Sequence, residues 1–354
     1  MINNNFVINS RKISNELPPY IIAEVSANHN GSIVRAKATI LAAKDAGVDA
    51  VKIQTYTPDT MTIEADNSDF YITDGLWKGR SLYDLYSEAY TPFEWHKELF
   101  SYAKEIGITL FSSPFDETAV DLLEDLKAPA FKIASFEIVD LTLIKYIAKK
   151  GKPILMSTGM ASLDEIGDAI ESARSVGNDS IILFHCISSY PAPISESNLH
   201  MIHILQREFN IQVGLSDHTI GNLASVLATS MGATVIEKHF TLNRSDGGVD
   251  GSFSLEPNEM KSLVKDTKEA FSALGTATFK RSAVEEQNRV FRRSLYFVND
   301  INEGDVITED FVRRIRPGFG LDAKYYETVI GTKCLIRAKK GDRVTLKHVD
   351  IEAN

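Results

Sequence analysis

Two lysines lie within short apolar runs of the sequence, which is an unusual setting for a charged side chain. They are Lys52 in AVKIQ and Lys132 in AFKIA. Burying an ammonium group is unfavourable unless an anion accompanies it. Gln54 follows Lys52 by two residues, so in a strand both side chains point to the same side. Two such lysines, with hydroxyl groups nearby, predict a pocket for a small anion such as phosphate or carboxylate.

Serine hydroxyls that could complete this pocket occur at or just after other β-rich runs, at Ser135, Ser157 and Ser216. A second interpretation is that the protein neutralises the lysines itself. Glu24, Glu137 and Glu237 are the carboxylates available for such pairs. The sequence alone leaves both interpretations open.

Two histidines follow neighbouring β-rich runs and are close enough to share one divalent cation. They are His218 in GLSDHTIG and His239 in VIEKHFTL. Imidazoles without thiolates suit Mn²⁺, Fe²⁺, Co²⁺ or Zn²⁺. No HExxH motif or third ligand is fixed by spacing, so a general acid–base role or simple packing stays open.

These residues belong to a repeated pattern of strand and helix, and several of the helix-patterned stretches end in glycine. Eight strand–helix units predict a closed (β/α)₈ TIM barrel, in which chemistry occurs at the carboxyl ends of the strands. The alternative is an open doubly wound sheet, which usually has fewer strands and carries GxGxxG after its first strand; that motif is absent here. The predicted strands are residues 20–25, 50–54, 109–112, 130–134, 153–157, 180–185, 212–216 and 233–239.

A long insertion, residues 55–91, separates the second and third predicted strands. An excursion of this length on the active-site face usually closes over a substrate or forms an interface. A solvated surface decoration is the alternative, but the tyrosines and the tryptophan in the insertion disfavour it.

The strand–helix pattern stops after residue 275, and the predicted barrel domain is therefore 1–275. Residues 276–291 are predicted to be a polar, basic linker. Residues 292–354 contain short β-like runs separated by turn sequences, which predict a small, mainly β domain. A core of that size is marginal alone, so the domain is expected to dock on another surface.

Composition limits the class of protein. Hydrophobic residues make up 44% and charged residues 24% of the 354 residues, which is typical of a globular protein. The net charge of −10 disfavours binding to nucleic acid or to an anionic membrane. No apolar run is long enough to span a bilayer, and the first residues lack the apolar segment of a signal peptide. Two cysteines without a CxxC motif, Cys186 and Cys334, predict reduced thiols in a cytoplasmic protein.

Seven motifs follow one another along the predicted barrel: IIAEVSANHNGS, DAVKIQTY, FKIASFEI, LMSTGM, LFHCISSYPAP, GLSDHTIG and VIEKHFTL. In this order they resemble the motifs of the sialic acid synthase family of phosphoenolpyruvate-condensing enzymes. Three later segments, GDVIT, RRIRPGFG and IGTK, resemble the C-terminal antifreeze-like (SAF) domain of that family. Within the insertion and just after it, SLYDLYSEAYTPFEWH resembles the branch that makes pseudaminic acid, although Phe93 stands where that branch usually has tryptophan.

The resemblance implies a condensation of phosphoenolpyruvate with the open-chain aldehyde of an N-acetylated sugar, with release of phosphate. It implies a divalent metal, foremost Mn²⁺ and otherwise Mg²⁺ or Co²⁺, and a domain-swapped homodimer. By motif, the residues that would hold phosphoenolpyruvate are Lys52, Lys132, Ser135, Ser157 and Ser216, and those that would hold the metal are His218 and His239. The sugar would be contacted by Gln54, Tyr190 and Asp250, and by Arg316 from the other subunit. Glu24 and Glu137 would position the sugar or handle protons, in roles that could be exchanged.

For the branch resembled here, the implied sugar is 2,4-diacetamido-2,4,6-trideoxy-L-altrose and the product serves cell-surface or flagellar glycans. The same chemistry on another sugar would give N-acetylneuraminic or legionaminic acid. A retaining glycoside hydrolase using Glu137 and Glu237 is a further alternative, which two lysines in the pocket fit badly. A carbohydrate- or ice-binding protein is a third, which the basic C-terminal segment disfavours.

Overall fold

The computed structural model describes residues 6–352 of the chain. The chain divides into two compact units, Met1–Gly275 and Thr276–Asn354. The predicted outer domain limits, residues 1 and 354, lie outside the described residues.

The first unit contains a closed barrel in which neighbouring strands run parallel, in the order β10-β3-β4-β5-β6-β7-β8-β9. The predicted (β/α)₈ barrel is confirmed, and each strand lies within a residue or two of its predicted position. The strands are β3 (Tyr20–Glu24), β4 (Ala50–Thr55), β5 (Thr109–Pro114), β6 (Phe131–Ile133), β7 (Ile154–Ser157), β8 (Ile181–Cys186), β9 (Gln212–Asp217) and β10 (Val235–His239).

Helices follow the strands and pack around the barrel. Local capping explains several of their boundaries: the Ser32 hydroxyl accepts a hydrogen bond at the start of the first helix, and Gly47 ends it in the left-handed conformation. The helices are α1 (Ile33–Ala46), α2 (Pro58–Met61), α3 (Leu82–Ala89), α4 (Phe93–Ile106), α5 (Glu117–Asp125), α6 (Leu141–Ala148), α7 (Leu163–Arg174), α8 (Met201–Phe209), α9 (Leu223–Ser230) and α10 (Pro257–Leu274).

An N-terminal hairpin, which the sequence pattern did not predict, covers the amino-terminal end of the barrel. Its strands, β1 (Phe6–Ile8) and β2 (Arg11–Ile13), are antiparallel and only three residues long. Their apolar side chains join a buried cluster with residues from the first half of the barrel strands. Gln212 also donates a hydrogen bond of 3.1 Å to the carbonyl oxygen of Ile13.

The barrel interior changes character along its axis because side chains alternate between the two faces of each strand. Gly214 is one inward position, where a Cβ atom would lie 2.5 Å from the carbonyl oxygen of Val235. The amino-terminal half is apolar, with Ile22, Ala50, Phe111, Ala130, Leu155, Ile182, Phe184 and Val235. The carboxyl-terminal half is polar and equally buried, with Glu24, Lys52, Ser113, Lys132, Ser157, Cys186, Ser216 and Glu237.

The second unit is small and rich in short β contacts, consistent with the predicted mainly β domain. An antiparallel pair, β11 (Ser294–Phe297) and β12 (Val312–Ile315), is extended by isolated bridges such as Tyr296–Arg343. The predicted linker contains helix α11 (Ala283–Gln287), and the last helix, α12 (Tyr326–Val329), follows β12. The unit has its own core, formed by Leu295, Phe297, Ile301, Ile307, Val312, Val329, Cys334, Ala338, Val344 and Val349.

Both cysteines are buried free thiols. Among residues 6–352, no helix combines the length and the apolar character needed to cross a membrane.

Candidate active site

Four buried charged side chains, Glu24, Lys52, Lys132 and Glu237, meet inside the carboxyl-terminal half of the barrel, and we call them the charged cluster. The Nζ atom of Lys52 lies 2.8 Å from Oε2 of Glu24 and 3.6 Å from Oε1 of Glu237. The Nζ atom of Lys132 lies 2.9 Å from the same Glu237 oxygen. Each residue is at most 4% exposed. Of the three carboxylates considered for pairing with the lysines, Glu24 and Glu237 therefore take that role.

Strand register accounts for the first half of the cluster. Glu24 and Lys52 occupy paired positions on β3 and β4, at the same height in the barrel. Gln54, on the same face as Lys52, donates a hydrogen bond of 3.2 Å to Oε1 of Glu24. Lys52 also donates to the Ser113 hydroxyl at 3.3 Å. The carboxylate and the ammonium group are thus held by neutral partners as well as by each other.

Glu237 joins the two lysines through one oxygen. Its Oε1 atom accepts hydrogen bonds from Lys132 and from the Ser216 hydroxyl, the latter at 3.2 Å. The ammonium group of Lys132 also lies 4.7 Å from the ring centroid of Phe184, within range of a cation–π contact. The other Glu237 oxygen, Oε2, is buried and makes no hydrogen bond within the described part of the chain.

Burial and mutual attraction set the protonation of the cluster. Burial raises the pKa of Glu24, an effect that Lys52 offsets only in part. Burial also opposes ionisation of Glu237, but Lys132 and Lys52 outweigh it and lower its pKa. Burial lowers the pKa of Lys132, against the attraction of Glu237. Glu237 therefore stays ionised in the cluster. Glu24 is the carboxyl group that would most readily take up a proton when a further anion binds nearby.

The two predicted metal-binding histidines are adjacent, with ring centroids 5.4 Å apart. The Nδ1 atom of His218 is 2.9 Å from the carbonyl oxygen of Ile187, which fixes a proton on Nδ1. Burial opposes a charge on His218, but the neighbouring Cys186 outweighs burial and raises its pKa, so a metal ion bound at Nε2 would displace a proton from that atom. The Nδ1 atom of His239 is buried, makes no hydrogen bond to any described residue, and lies 3.9 Å from Oδ2 of Asp250. Burial, reinforced by the charge of His218, lowers the pKa of His239 well below its usual value.

A neutral imidazole with an unpartnered buried nitrogen is the state that a metal ligand requires. Within residues 6–352, no group of three or more His, Cys, Asp or Glu side chains forms a metal-binding cluster. His218 and His239 would therefore supply two ligands, and the other coordination positions would fall to water and substrate. The pair fits a catalytic cation with open positions better than a closed structural site.

Aromatic rings line the site beside the histidines. The ring centroid of Tyr190 is 4.3 Å from that of His218 and 5.5 Å from that of Phe253. Phe253 is in turn 5.0 Å from the ring of His239. The predicted sugar-contacting residues Tyr190 and Asp250 thus lie at the histidine pair.

The remaining predicted residues of the first unit lie at strand ends. Ser157 ends β7 and points inward, and Ser135 and Glu137 form a short 3₁₀ helix after β6. A Cβ atom on Gly159 would lie 2.8 Å from the Ser135 hydroxyl oxygen, so glycine leaves this hydroxyl uncovered. Burial raises the pKa of Glu137 to about 7, and its Oε2 atom has no hydrogen-bond partner among the described residues.

Arg316 belongs to the second unit. It is exposed and directly follows β12.

Three residues of this site lie outside the predicted binding residues: Ser113, Cys186 and Glu237, the last of which was expected only as a possible partner of the lysines. Cys186 lies with its Sγ atom 3.8 Å from Nδ1 of His218. Alternation would have identified Glu237, which is two residues before His239 and therefore on the same strand face. Ser113 is the inward member of a Ser-Ser pair, and only strand pairing shows which of the two faces inward.

Comparison with known proteins identifies close relatives over most of the chain. The NeuB family pattern matches residues 39–279. A pseudaminic acid synthase of Campylobacter jejuni subsp. jejuni is 45% identical over 94% of this chain and 96% of that protein. An N,N'-diacetyllegionaminic acid synthase of Legionella pneumophila is 35% identical over 94% of each chain. A crystal structure of N-acetylneuraminic acid synthetase from Leptospira borgpetersenii has a TM-score of 0.72 at 30% identity, covering 80% of this chain and 94% of that one.

If the histidine pair holds a divalent cation, His239→Asn should weaken Mn²⁺ binding by about tenfold or more, measured by calorimetric titration. His185→Asn is the matched control, since His185 is a buried histidine on β8 whose Nε2 atom is already bonded to the Ser197 carbonyl oxygen at 2.7 Å. The control should bind Mn²⁺ like the wild type. Equal loss in both folded variants, or none in either, would contradict this assignment.

Proposed function

The chain belongs to the NeuB family, the sialic acid synthase family that its motifs resemble, and on that basis we propose that it condenses phosphoenolpyruvate with an N-acetylated sugar aldehyde. The observation that carries this proposal is the charged cluster beside the histidine pair, in the part of a (β/α)₈ barrel where catalysis occurs. Family membership displaces the hydrolase and ice-binding alternatives, because the relatives reported above are named as synthases.

Lys52 and Lys132 are proposed to bind the phosphate and carboxylate groups of phosphoenolpyruvate. Their ammonium groups share Glu237 as a counter-ion, which keeps them in one small buried volume. Fully ionised phosphoenolpyruvate is a trianion, and charge-assisted hydrogen bonds from ammonium groups to its phosphate and carboxylate oxygens are strong in a buried site. The hydroxyl groups of Ser135, Ser157 and Ser216 would supply further donors around it.

In the proposed reaction, C3 of phosphoenolpyruvate forms a bond to the aldehyde carbon, and the aldehyde oxygen takes a proton to become a hydroxyl. Water adds to C2, and cleavage of the C2–O bond then releases phosphate and leaves a 2-keto acid. The two protons of the water end on the new hydroxyl and on phosphate, so the equation balances without another reactant.

Proton transfer is assigned to Glu137 and sugar positioning to Glu24. A general base works best with a pKa near the operating pH, and burial raises the pKa of both Glu137 and Glu24 to about 7. What favours Glu137 is that, among the described residues, no ion pair holds its carboxyl group, whereas Glu24 is paired with Lys52. Glu24 is held by Lys52 and Gln54 in the charged cluster, so its orientation is fixed. The fixed carboxyl group suits a role in holding the substrate.

His218 and His239 are proposed to hold a divalent cation, with Mn²⁺ the ion we expect and Mg²⁺ or Co²⁺ as alternatives. The chemistry that such a cation supplies is polarisation and orientation of the aldehyde. Tyr190 and Asp250, which lie at the histidine pair, are proposed to contact the sugar hydroxyl or acetamido groups; Gln54 would reach the sugar from the charged cluster.

The proposed sugar is 2,4-diacetamido-2,4,6-trideoxy-L-altrose, and the proposed product is pseudaminic acid. Identity to the pseudaminic acid synthase of Campylobacter jejuni subsp. jejuni is 45%, against 35% to the legionaminic acid synthase of Legionella pneumophila. This difference favours the first branch over the alternative products. A cytoplasmic location and a role in cell-surface or flagellar glycans stay predictions.

A homodimer is proposed, in which Arg316 of each chain enters the site of its partner. Apolar side chains stand exposed on successive loops at the catalytic face of the barrel: Phe136, Met160, Ile194 and Ile220 are 49–65% exposed. An apolar rim of this kind is typical of a surface covered by another protein surface. In the second unit, the loop of the exposed Arg316 also exposes Phe319, and this pair offers a cationic and apolar tip to cover such a rim.

The activity predicts phosphate release when purified protein is given phosphoenolpyruvate, Mn²⁺ and the altrose sugar, with pseudaminic acid identified by mass spectrometry. The legionaminic precursor and N-acetylmannosamine serve as parallel substrates, and EDTA should abolish turnover. Preference for either parallel sugar would overturn the assigned branch. Absence of phosphate release from all three sugars, with folded protein and added metal, would overturn the synthase proposal for these substrates.

The trans role of Arg316 predicts complementation between two impaired variants, measured at a sugar concentration well below the raised KM. Arg316→Ala should raise the KM for the sugar far more than that for phosphoenolpyruvate, and Lys132→Met should be inactive. In a mixed dimer, one of the two sites would combine an intact barrel with an intact Arg316. When equal amounts of the variants are mixed by unfolding and refolding, about half of the dimers should be mixed, so activity should return to about a quarter of the wild-type value. No recovery in a mixture that refolds to dimers would place Arg316 in its own chain's site or in none.

A further inference from the structure

Trp77 is the least exposed residue of a turn in the insertion, residues 73–79. Residues 73–76, 78 and 79 around it are all exposed, whereas Trp77 is half-buried. Two backbone hydrogen bonds join the ends of the turn. The amide of Gly79 donates to the carbonyl oxygen of Ile72 at 2.8 Å, and the amide of Ile72 donates to the carbonyl oxygen of Arg80 at 2.9 Å. This turn exposes even the apolar Leu76 and shields only its aromatic residue, which indicates that Trp77 has a contact to make.

The contact is with the catalytic end of the barrel. The indole N–H of Trp77 donates a hydrogen bond of 3.1 Å to the carbonyl oxygen of Val249, the residue before Asp250. The Trp77 ring centroid lies 5.7 Å from that of Tyr190, whose ring is 4.3 Å from His218. Trp77 is therefore the outermost ring of an aromatic series that ends at the histidine pair.

The chemistry left to Trp77 is apolar. Because its indole N–H is already bonded to the Val249 carbonyl oxygen, the part of the side chain that remains exposed can offer only ring carbon surface. Tyr190 and Phe253 continue the same kind of surface toward His239. An apolar wall with one polar anchor is typical of a site that recognises a methyl-bearing or C–H-rich part of a ligand.

We propose that Trp77 is a specificity-determining residue that contacts the methyl-bearing end of the sugar, remote from the aldehyde. This inference rests on the proposed function, which places the aldehyde at the histidine pair and leaves the far end of the sugar chain toward Tyr190 and Trp77. In the proposed substrate that end carries a methyl group at C6, where N-acetylmannosamine carries a hydroxymethyl group. Trp77 thereby favours 6-deoxy sugars.

The first test compares Trp77→Ala with Leu76→Ala, a matched control at the neighbouring exposed position. One methyl contact is worth about 10–200-fold in discrimination. Trp77→Ala should therefore lower kcat/KM for the 6-deoxy sugar about tenfold or more, through the sugar KM, and leave the KM for phosphoenolpyruvate within about twofold. The ratio of kcat/KM for the 6-deoxy sugar to that for N-acetylmannosamine should fall with it, and Trp77→Phe should restore most of the preference.

A second readout needs no turnover, because the chain has two tryptophans. In Trp95→Phe, Trp77 is the only indole, and adding the 6-deoxy sugar should change its emission; in Trp77→Phe, which leaves Trp95, the sugar should cause no change. Normal sugar turnover with unchanged specificity in Trp77→Ala and no emission change in Trp95→Phe would overturn this inference and leave the proposed function intact. Absence of turnover in the wild type would instead overturn the proposed function.

Discussion

Four charges buried inside a barrel must satisfy one another, and this constraint organises the catalytic end of the molecule. Glu24, Lys52, Lys132 and Glu237 come from β3, β4, β6 and β10, so the cluster forms only when the barrel is closed in one register. Removing one member of a buried ion pair commonly destabilises a protein by about 3–5 kcal/mol. The apolar half of the barrel and the N-terminal hairpin below it provide the core that offsets the burial of these charges.

The same constraint explains how a site lined with carboxylates can be proposed to accept an anion. Glu237 is ionised and shared by both lysines, whereas burial raises the pKa of Glu24. An entering trianion would take over the lysines' hydrogen bonds and favour protonation of Glu24. The histidine pair lies beside this cluster because His239 is two residues beyond Glu237 on the same strand face.

The barrel and most candidate residues were predictable because strand alternation and motif order are local features of the sequence. Strands β1 and β2 were missed because three residues carry too little periodicity to predict a strand. The partners of Lys52 and Lys132 stayed open because pairing depends on register across distant strands, which one sequence does not display. Trp77 was equally hidden, since only the folded turn brings an insertion residue against Tyr190.

The most direct test of the account is calorimetric titration of phosphoenolpyruvate into wild-type protein and two lysine variants. Lys132→Met removes an ammonium group from the cluster. Lys238→Met removes an equally buried ammonium group that pairs with Asp217 at 2.9 Å on the outward face of the barrel wall. The account predicts an affinity about tenfold or more weaker in Lys132→Met and close to wild type in Lys238→Met, both checked for folding by circular dichroism. Unchanged affinity in Lys132→Met, or an equal loss in both variants, would contradict it.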